Sequence, residues 1–199
     1  MRRATKKHVD RREKVIDAAA DVFSEKGFHG ASTADIAEKV GIQQGSLYYY
    51  FDSKETALQE VCELGMGTYL DAIREVALAD GSIDDKMAGL VSNHLNALDG
   101  ALAYVRTYLY ERRALSAERG HRLNEMTSSY EETLKGMLQD GVTNGELPEA
   151  MNCGLAALYV MSMFNTVAVQ RHRGADVALD DLIQGVTAMV IGGIHSNRW

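Results

Sequence analysis

Between residues 43 and 54 the chain sets out two amides, a bare backbone, a hydroxyl, three phenols and an ammonium: Gln43, Gln44, Gly45, Ser46, Tyr48, Tyr49, Tyr50 and Lys54. This is not a nucleophile beside a base, nor a set of metal ligands. Its chemistry is hydrogen bonding by groups that are neutral or positive. Glutamine pairs with the edge of adenine, glycine lets a backbone come close, and tyrosine hydroxyls and a lysine suit phosphate oxygens. Three successive tyrosines cannot all be buried by a helix of 3.6 residues per turn, so at least one faces outward. Such a surface suits the major groove of double-stranded DNA.

Short helices must hold these groups. Ser32 followed by Asp35 is a capping-box-like start for a helix that reaches Val40. Ile36 and Val40 give it a buried face, and Ala37 is small where two helices cross. Gly41 can take the positive φ of a tight turn, and Ile42 fills the space beneath it. A further helix over Gln44 to Phe51 is anchored by Leu47 with Tyr50 or Phe51. Upstream, Val15, Ala19 and Phe23 form one stripe of a first helix from about Asp10 to Lys26, with Ile16 and Ala20 beside it. Gly27 stops that helix, and Phe28 folds back onto the stripe.

The segment from Ser32 to Glu55, STADIAEKVGIQQGSLYYYFDSKE, resembles the signature of the tetracycline-repressor (TetR) family, and with the first helix the resemblance covers residues 10–60. It implies phosphate contacts by Thr33, Tyr48, Tyr49 and Lys54. It implies base-edge or close backbone contacts by Gln44, Gly45 and Ser46, with Tyr50 beside them. Two positions depart from the pattern: residue 34, often basic or larger, is Ala, and residue 44, often Lys, is Gln. Losing charge there shifts weight to direct readout and to the N-terminal arm.

Charge is segregated along the chain. The net charge is −7, which by itself argues against binding a polyanion. Yet residues 1–14 hold seven basic side chains (Arg2, Arg3, Lys6, Lys7, Arg11, Arg12, Lys14) against Asp10 and Glu13, a net of +5 that leaves −12 for the rest. A basic end on an acidic body orients a protein on DNA by that end. The arm reads either as extra phosphate or minor-groove contact or as a solubilising tail.

Other function classes find little support. There is no GxSxG, P-loop, HExxH or dinucleotide fingerprint, and His8, His29, His94, His121, His172 and His195 are scattered. An enzyme, a bound cofactor and a metal site are not expected. Cys62 and Cys153 form no CxxC pair, which fits a reducing compartment and a cytoplasmic protein. The N-terminus has no apolar run after its charges. The apolar stretch from Cys153 to Val169 is interrupted by Ser162 and Asn165, so neither a signal peptide nor a membrane partner is expected.

With one proline in 199 residues and apolar residues at helical spacing, the chain reads as all-α, with about nine helices. An arm and helix-turn-helix occupy 1–53, and a helical ligand-binding and dimerisation domain occupies 54–199. A long helix from Lys54 to Leu78 is the spoke between them. Further helices are expected near 83–98, 101–109, 117–140, 149–172 and 179–196, punctuated by Gly100, Gly141, Gly145, Pro148 and Gly174.

In the last helix Leu182, Val186, Met189, Val190 and Gly193 share a stripe, and Gly185, Ala188 and Gly192 permit close approach. The preceding helix, from Leu155, is apolar nearly all round. The resemblance implies that these two helices pair with their symmetry mates in a homodimer, although both also read as plain core. Polar groups in apolar context, namely Asn93, Tyr104, Arg106, Tyr108, Arg112 and Asn165, with Met161 and Phe164, are candidates to line a pocket for a small hydrophobic effector. His94, alone, reads as a satisfied histidine. The stretch from Tyr104 to Tyr130 resembles the subgroup that controls fatty-acid and sterol breakdown, which implies an acyl-CoA effector, with Arg112, Arg113, Arg171 and Arg173 available to its phosphates. The rival reading is a constitutive DNA-binding protein without a ligand.

Overall fold

The structure, a computed structural model, describes residues 6–172, 177–196 and 199. Among these there are eight α-helices, one 3₁₀ turn and no strand: α1 (Lys6–Gly30), α2 (Thr33–Val40), α3 (Gln44–Leu47), α4 (Lys54–Leu78), α5 (Ile83–Glu111), the 3₁₀ turn Arg112–Ala114, α6 (Ala117–Thr143), α7 (Cys153–His172) and α8 (Leu179–Ile194). The all-α reading with nine helical segments therefore holds. Gly174 and the first five residues of the arm lie outside the described residues.

Helix boundaries differ from expectation where a glycine proved not to be a stop. The two helices expected over 83–98 and 101–109 are one, α5, which runs straight through Gly100. A lone glycine costs a helix only about 1 kcal/mol, which the apolar face of a long helix outweighs. Gly141 lies inside α6 rather than at its end. A Cβ there would stand 2.9 Å from Leu147 Cδ1 and 3.2 Å from Ile83 Cγ1, so the glycine makes room for two side chains. The stop falls at Gly145, whose φ of 76° belongs to the left-handed region. The helix expected from Glu149 starts at Cys153, where the Asn152 side chain accepts from the Leu155 N–H.

The chain packs as two compact units. One comprises residues up to Met66 with Ala103–Asn124, the other Gly67–Leu102 with Glu125–Trp199. Helix α4 begins at Lys54, the expected boundary, but its first half packs with the head-forming helices, and α4, α5 and α6 each contribute residues to both units. In the first unit Val15, Ala19, Phe23, Ile36, Leu47, Phe51, Leu58 and Val61 are buried. The core of the second contains Ile73, Met87, Leu90, Leu95, Leu134, Leu138, Phe164, Val190 and Ile194. A second capping box, unforeseen in the linker before α5, pairs Ser82 with Asp85: the Ser82 N–H donates to Asp85 Oδ2 at 3.1 Å, and the Asp85 N–H to Ser82 Oγ at 3.2 Å.

Candidate nucleic-acid interface

The head is built from the bottom by α2. Ser32 is extended and accepts from the Asp35 N–H, while the Asp35 carboxylate accepts from the Ser32 N–H at 2.7 Å, completing the box read from the sequence. Lys26 Nζ lies 2.6 Å from the same carboxylate, and these hydrogen bonds, Lys26 first, hold Asp35 down at about 2. At the other end Gly41 adopts φ 73°, ψ 40°, and its N–H and that of Ile42 return to the carbonyls of Glu38 and Ala37. Only a residue without a Cβ takes that conformation without strain, so the turn into the next helix is specified at this position.

The helix after the turn is shorter than expected. Only Gln44–Leu47 is α-helical, after which Tyr49 and Tyr50 donate to the carbonyls three residues back, Ser46 and Leu47, before Phe51 closes on Leu47. Such tightening satisfies the carbonyls of a helix end. Leu47 and Phe51 are buried and act as the two anchors. Gln43, Gln44 and Gly45 are exposed and Ser46 is half-buried. Tyr48 is 54% and Tyr49 85% exposed, so two of the three tyrosines face outward, and Tyr50 is half-buried. Gln44 Nε2 donates to Thr33 Oγ1 at 2.9 Å, so the first residue of α2 orients the first amide of α3.

Lys54 has a role that the sequence did not reveal. Its ammonium donates to the carbonyls of Phe28 (2.7 Å) and Ala31 (2.8 Å) and lies 4.4 Å from the centre of the Phe28 ring. The N–H of Phe28 in turn donates to Glu111 Oε2 at 2.8 Å. The segment that leads from α1 to α2, just past the kink at Gly27, is thus held by a cation on one side and a carboxylate on the other. Phe28 does fold back on the first helix, its ring 5.9 Å from that of Phe23. Of the three N–H groups of Lys54, one remains for a phosphate. In the arm, Arg12 is paired with Glu60, which removes one of its positive charges from the free set.

The expected pocket residues are divided between the two units. Tyr104, Arg106, Tyr108 and Arg112 belong to the first unit, where the Tyr104 hydroxyl donates to Asp17 at 2.7 Å. There Arg112 Nη1 donates to the Tyr108 hydroxyl at 2.7 Å and lies over its ring. Asn93, Met161, Phe164 and Asn165 belong to the second unit. Asn93 and Asn165 are exposed, and Met161 lines a cleft of about 260 Å³ with Glu131, Glu132, Lys135, Gly154, Ala157 and Leu158. Phe164 is buried, its ring stacked 4.4 Å from His94. His94 itself is buried, and its Nδ1 has no hydrogen-bond partner, contrary to the satisfied histidine expected. Arg113 is exposed, whereas the Arg171 side chain and Arg173 lie outside the described residues.

The expected dimer stripe divides into two faces. Val186 and Val190 of α8 are buried within the chain, Leu182 is half-buried, and Met189 and Gly193 are exposed. On α7, Leu155, Leu158 and Tyr159 are exposed. By length and composition α7 is apolar enough to cross a membrane, yet only 33% of its apolar window, Cys153–Gln170, is buried in the chain. An apolar surface of this kind on a folded domain calls for a partner.

Comparison with known proteins agrees with this architecture. Residues 15–61 match the family model of bacterial regulatory proteins, tetR family, and residues 80–193 match that of the tetracyclin repressor-like C-terminal domain. The chain is 30% identical over 188 residues to the HTH-type transcriptional repressor KstR2 of Rhodococcus jostii, covering 94% of this chain and 92% of that protein. It is 27% identical over 183 residues to the fatty acid metabolism regulator protein of Bacillus subtilis, covering 92% and 94%. The crystal structure of the transcriptional regulator FadR from Bacillus subtilis in complex with stearoyl-CoA superposes with a TM-score of 0.77 at 27% identity, covering 92% of this chain and 99% of that one.

Proposed function

This chain belongs to the tetR family of bacterial regulatory proteins, and on that premise we propose that it is a cytoplasmic repressor that leaves its operator when an acyl-CoA enters its helical body. The observation that carries the DNA-binding half is the head: a boxed α2, a glycine turn and an exposed row of Gln43, Gln44, Gly45, Tyr48 and Tyr49 above two buried anchors. Gln43, Gln44, Gly45 and Ser46 read base edges, with Tyr50 beside them. Thr33, Tyr48, Tyr49 and the remaining N–H of Lys54 meet phosphates.

The exposed apolar face of α7 and α8, with Leu155, Met189 and Gly193 upon it, pairs with a second copy, so that two heads read an inverted repeat. The acyl-CoA assignment is supported by the relatives, one named for fatty acid metabolism and one solved with stearoyl-CoA. In functional terms residues 1–53 read and residues 54–199 sense and dimerise. Helix α4, continuous through both units, couples them. An effector shifts the heads from the spacing of about 34 Å that successive major grooves demand. It does so only by binding the DNA-incompetent shape more tightly.

The test is titration of the purified protein against inverted-repeat duplexes selected from random sequence, with and without acyl-CoAs of graded length. A duplex bound tightly by a dimer and released by acyl-CoA at micromolar concentration is the expected result. Operator binding that no acyl-CoA alters would leave a constitutive DNA-binding protein.

A further inference from the structure

At the centre of the second unit four helices each send in one aromatic side chain: Tyr69 from α4, His94 from α5, Tyr130 from α6 and Phe164 from α7. The His94 ring is sandwiched, stacked 4.0 Å from Tyr69 and 4.4 Å from Phe164, and it meets Tyr130 edge-on at 6.5 Å. Tyr69, His94 and Tyr130 are 5%, 8% and 2% exposed. Three of their polar atoms, Tyr69 Oη, His94 Nδ1 and Tyr130 Oη, are buried with no hydrogen-bond partner.

This arrangement is costly as packing alone. A phenylalanine at either tyrosine position would supply the same ring without a stranded hydroxyl, and a buried polar atom left unpaired opposes folding. Burial holds His94 neutral, with its pKa brought down to about 3, and it raises both phenols, Tyr130 further through Tyr69 nearby. The site therefore offers neutral donors and an acceptor against flat apolar walls. A carboxylate or phosphate would need a compensating cation, which these four side chains do not supply. A neutral oxygen, as in a ketone, alcohol or ester-type carbonyl, would be satisfied by the phenolic O–H groups, and Nδ1 could accept from an alcohol.

We propose that Tyr69, His94 and Tyr130 form the recognition site for a neutral oxygen carried on the lipophilic part of the effector, so that this regulator selects an oxygenated acyl group over a plain saturated one. This rests on the acyl-CoA reading for the identity of the carrier, while the oxygen preference stands on the buried polar atoms alone. In the closed stack these atoms are unpaired. An effector that parts the rings and pairs them favours the parted state, and the energetic difference between the two states is what an effector must supply. The oxygen meant is a keto or hydroxyl group along the chain, because the thioester carbonyl is common to every acyl-CoA and cannot distinguish an oxygenated acyl group from a saturated one.

The experiment compares matched ligands of equal length: a saturated acyl-CoA, its mid-chain keto and hydroxy counterparts, and the same three as free fatty acids. Binding is read by calorimetry on the full-length wild type and on Tyr69→Phe, Tyr130→Phe and the double variant. The readout is the ratio of affinities, oxygenated to saturated, which a general effect on folding would not move. The wild type is expected to favour an oxygenated chain by about tenfold or more in both series, and the double variant to bring the ratio to within about twofold. If all three CoA thioesters bind the wild type equally and weaken together by about tenfold in the double variant while the free acids do not, the polar atoms meet the thioester carbonyl and the proposed selectivity is overturned. Equal affinities that neither substitution changes in either series would overturn the proposal. Should no CoA thioester bind while the free acids keep the tyrosine-dependent preference, the carrier is wrong and the oxygen site stands.

Discussion

Lys54→Met tests the finding that the first residue of α4 fastens the reading head. Methionine keeps most of the aliphatic stem and deletes the ammonium. What is lost is two charge-assisted hydrogen bonds, to the carbonyls of Phe28 at 2.7 Å and Ala31 at 2.8 Å, and a cation over the Phe28 ring at 4.4 Å. Hydrogen bonds to a charged group contribute about 1.5 to 3 kcal/mol each, and a partly exposed cation–π contact about 0.5 to 1 kcal/mol. Lys54 is half-buried, so water reaches the freed carbonyls in part, and the net loss should be about 2 to 3 kcal/mol. For a chain of this size that corresponds to a fall in Tm of roughly 5 to 10 °C. Thermal unfolding by circular dichroism measures it, and operator titration over a salt series follows the second effect. If the remaining N–H meets a phosphate, the slope of log K against log salt becomes shallower by about 0.9 for each protomer. A Tm within 1 °C of wild type would refute the clamp, whatever the slope did. An unaltered slope with a lowered Tm would confine Lys54 to holding the head.

Other outcomes follow from the same geometry. Gln44→Ala should relax base preference at one symmetric pair of operator positions, by about 1 to 3 kcal/mol per contact, as read by competition among operator variants; an unchanged preference removes Gln44 from the reading set. Met189→Asp places a charge on an exposed apolar position and should dissociate the dimer in sedimentation equilibrium while far-ultraviolet dichroism stays unchanged. A variant that sediments like the wild type would move the interface elsewhere. Gly141→Ala should destabilise by about 1 to 3 kcal/mol, since its Cβ would press on Leu147 and Ile83, and a denaturation midpoint equal to wild type would show that the contact yields freely.

A fifth prediction concerns pH. His94 has its pKa lowered by burial from 6.5 to about 3, so between those values the unfolded chain binds the extra proton and the folded one does not. Stability should therefore fall as pH drops below 6.5, by up to about 1.4 kcal/mol per unit, until about pH 3. His94→Phe should flatten that part of the urea-midpoint profile, and an equal slope in the variant would exclude His94 as its source.

The head was legible in the sequence because its constraints are local. The Ser32–Asp35 box, the turn at Gly41 and the anchors Leu47 and Phe51 all act within a few residues of one another, so residue type and spacing suffice to place them. Helical geometry required at least one of the three tyrosines to face outward; two do, in the turns that follow the short α3. Helix ends were less legible, since a glycine in sequence does not say whether it breaks a helix or admits a neighbour: Gly145 is a stop, Gly141 a contact, and Gly100 lies within an unbroken α5.

What required the tertiary structure were contacts between residues far apart in the chain. Lys54 looked like a phosphate ligand, and only folding brings it within reach of carbonyls 26 and 23 residues earlier. The pocket candidates, each legible only within its own helix, lie half in one packing unit and half in the other. His94 looked ordinary because burial and the lack of a hydrogen-bond partner are properties of its surroundings, set by rings from three other helices. Helical period and capping are written in neighbouring residues and so belong to the sequence; which polar atoms are stranded depends on how faces from distant segments meet, and that is decided only when the core closes.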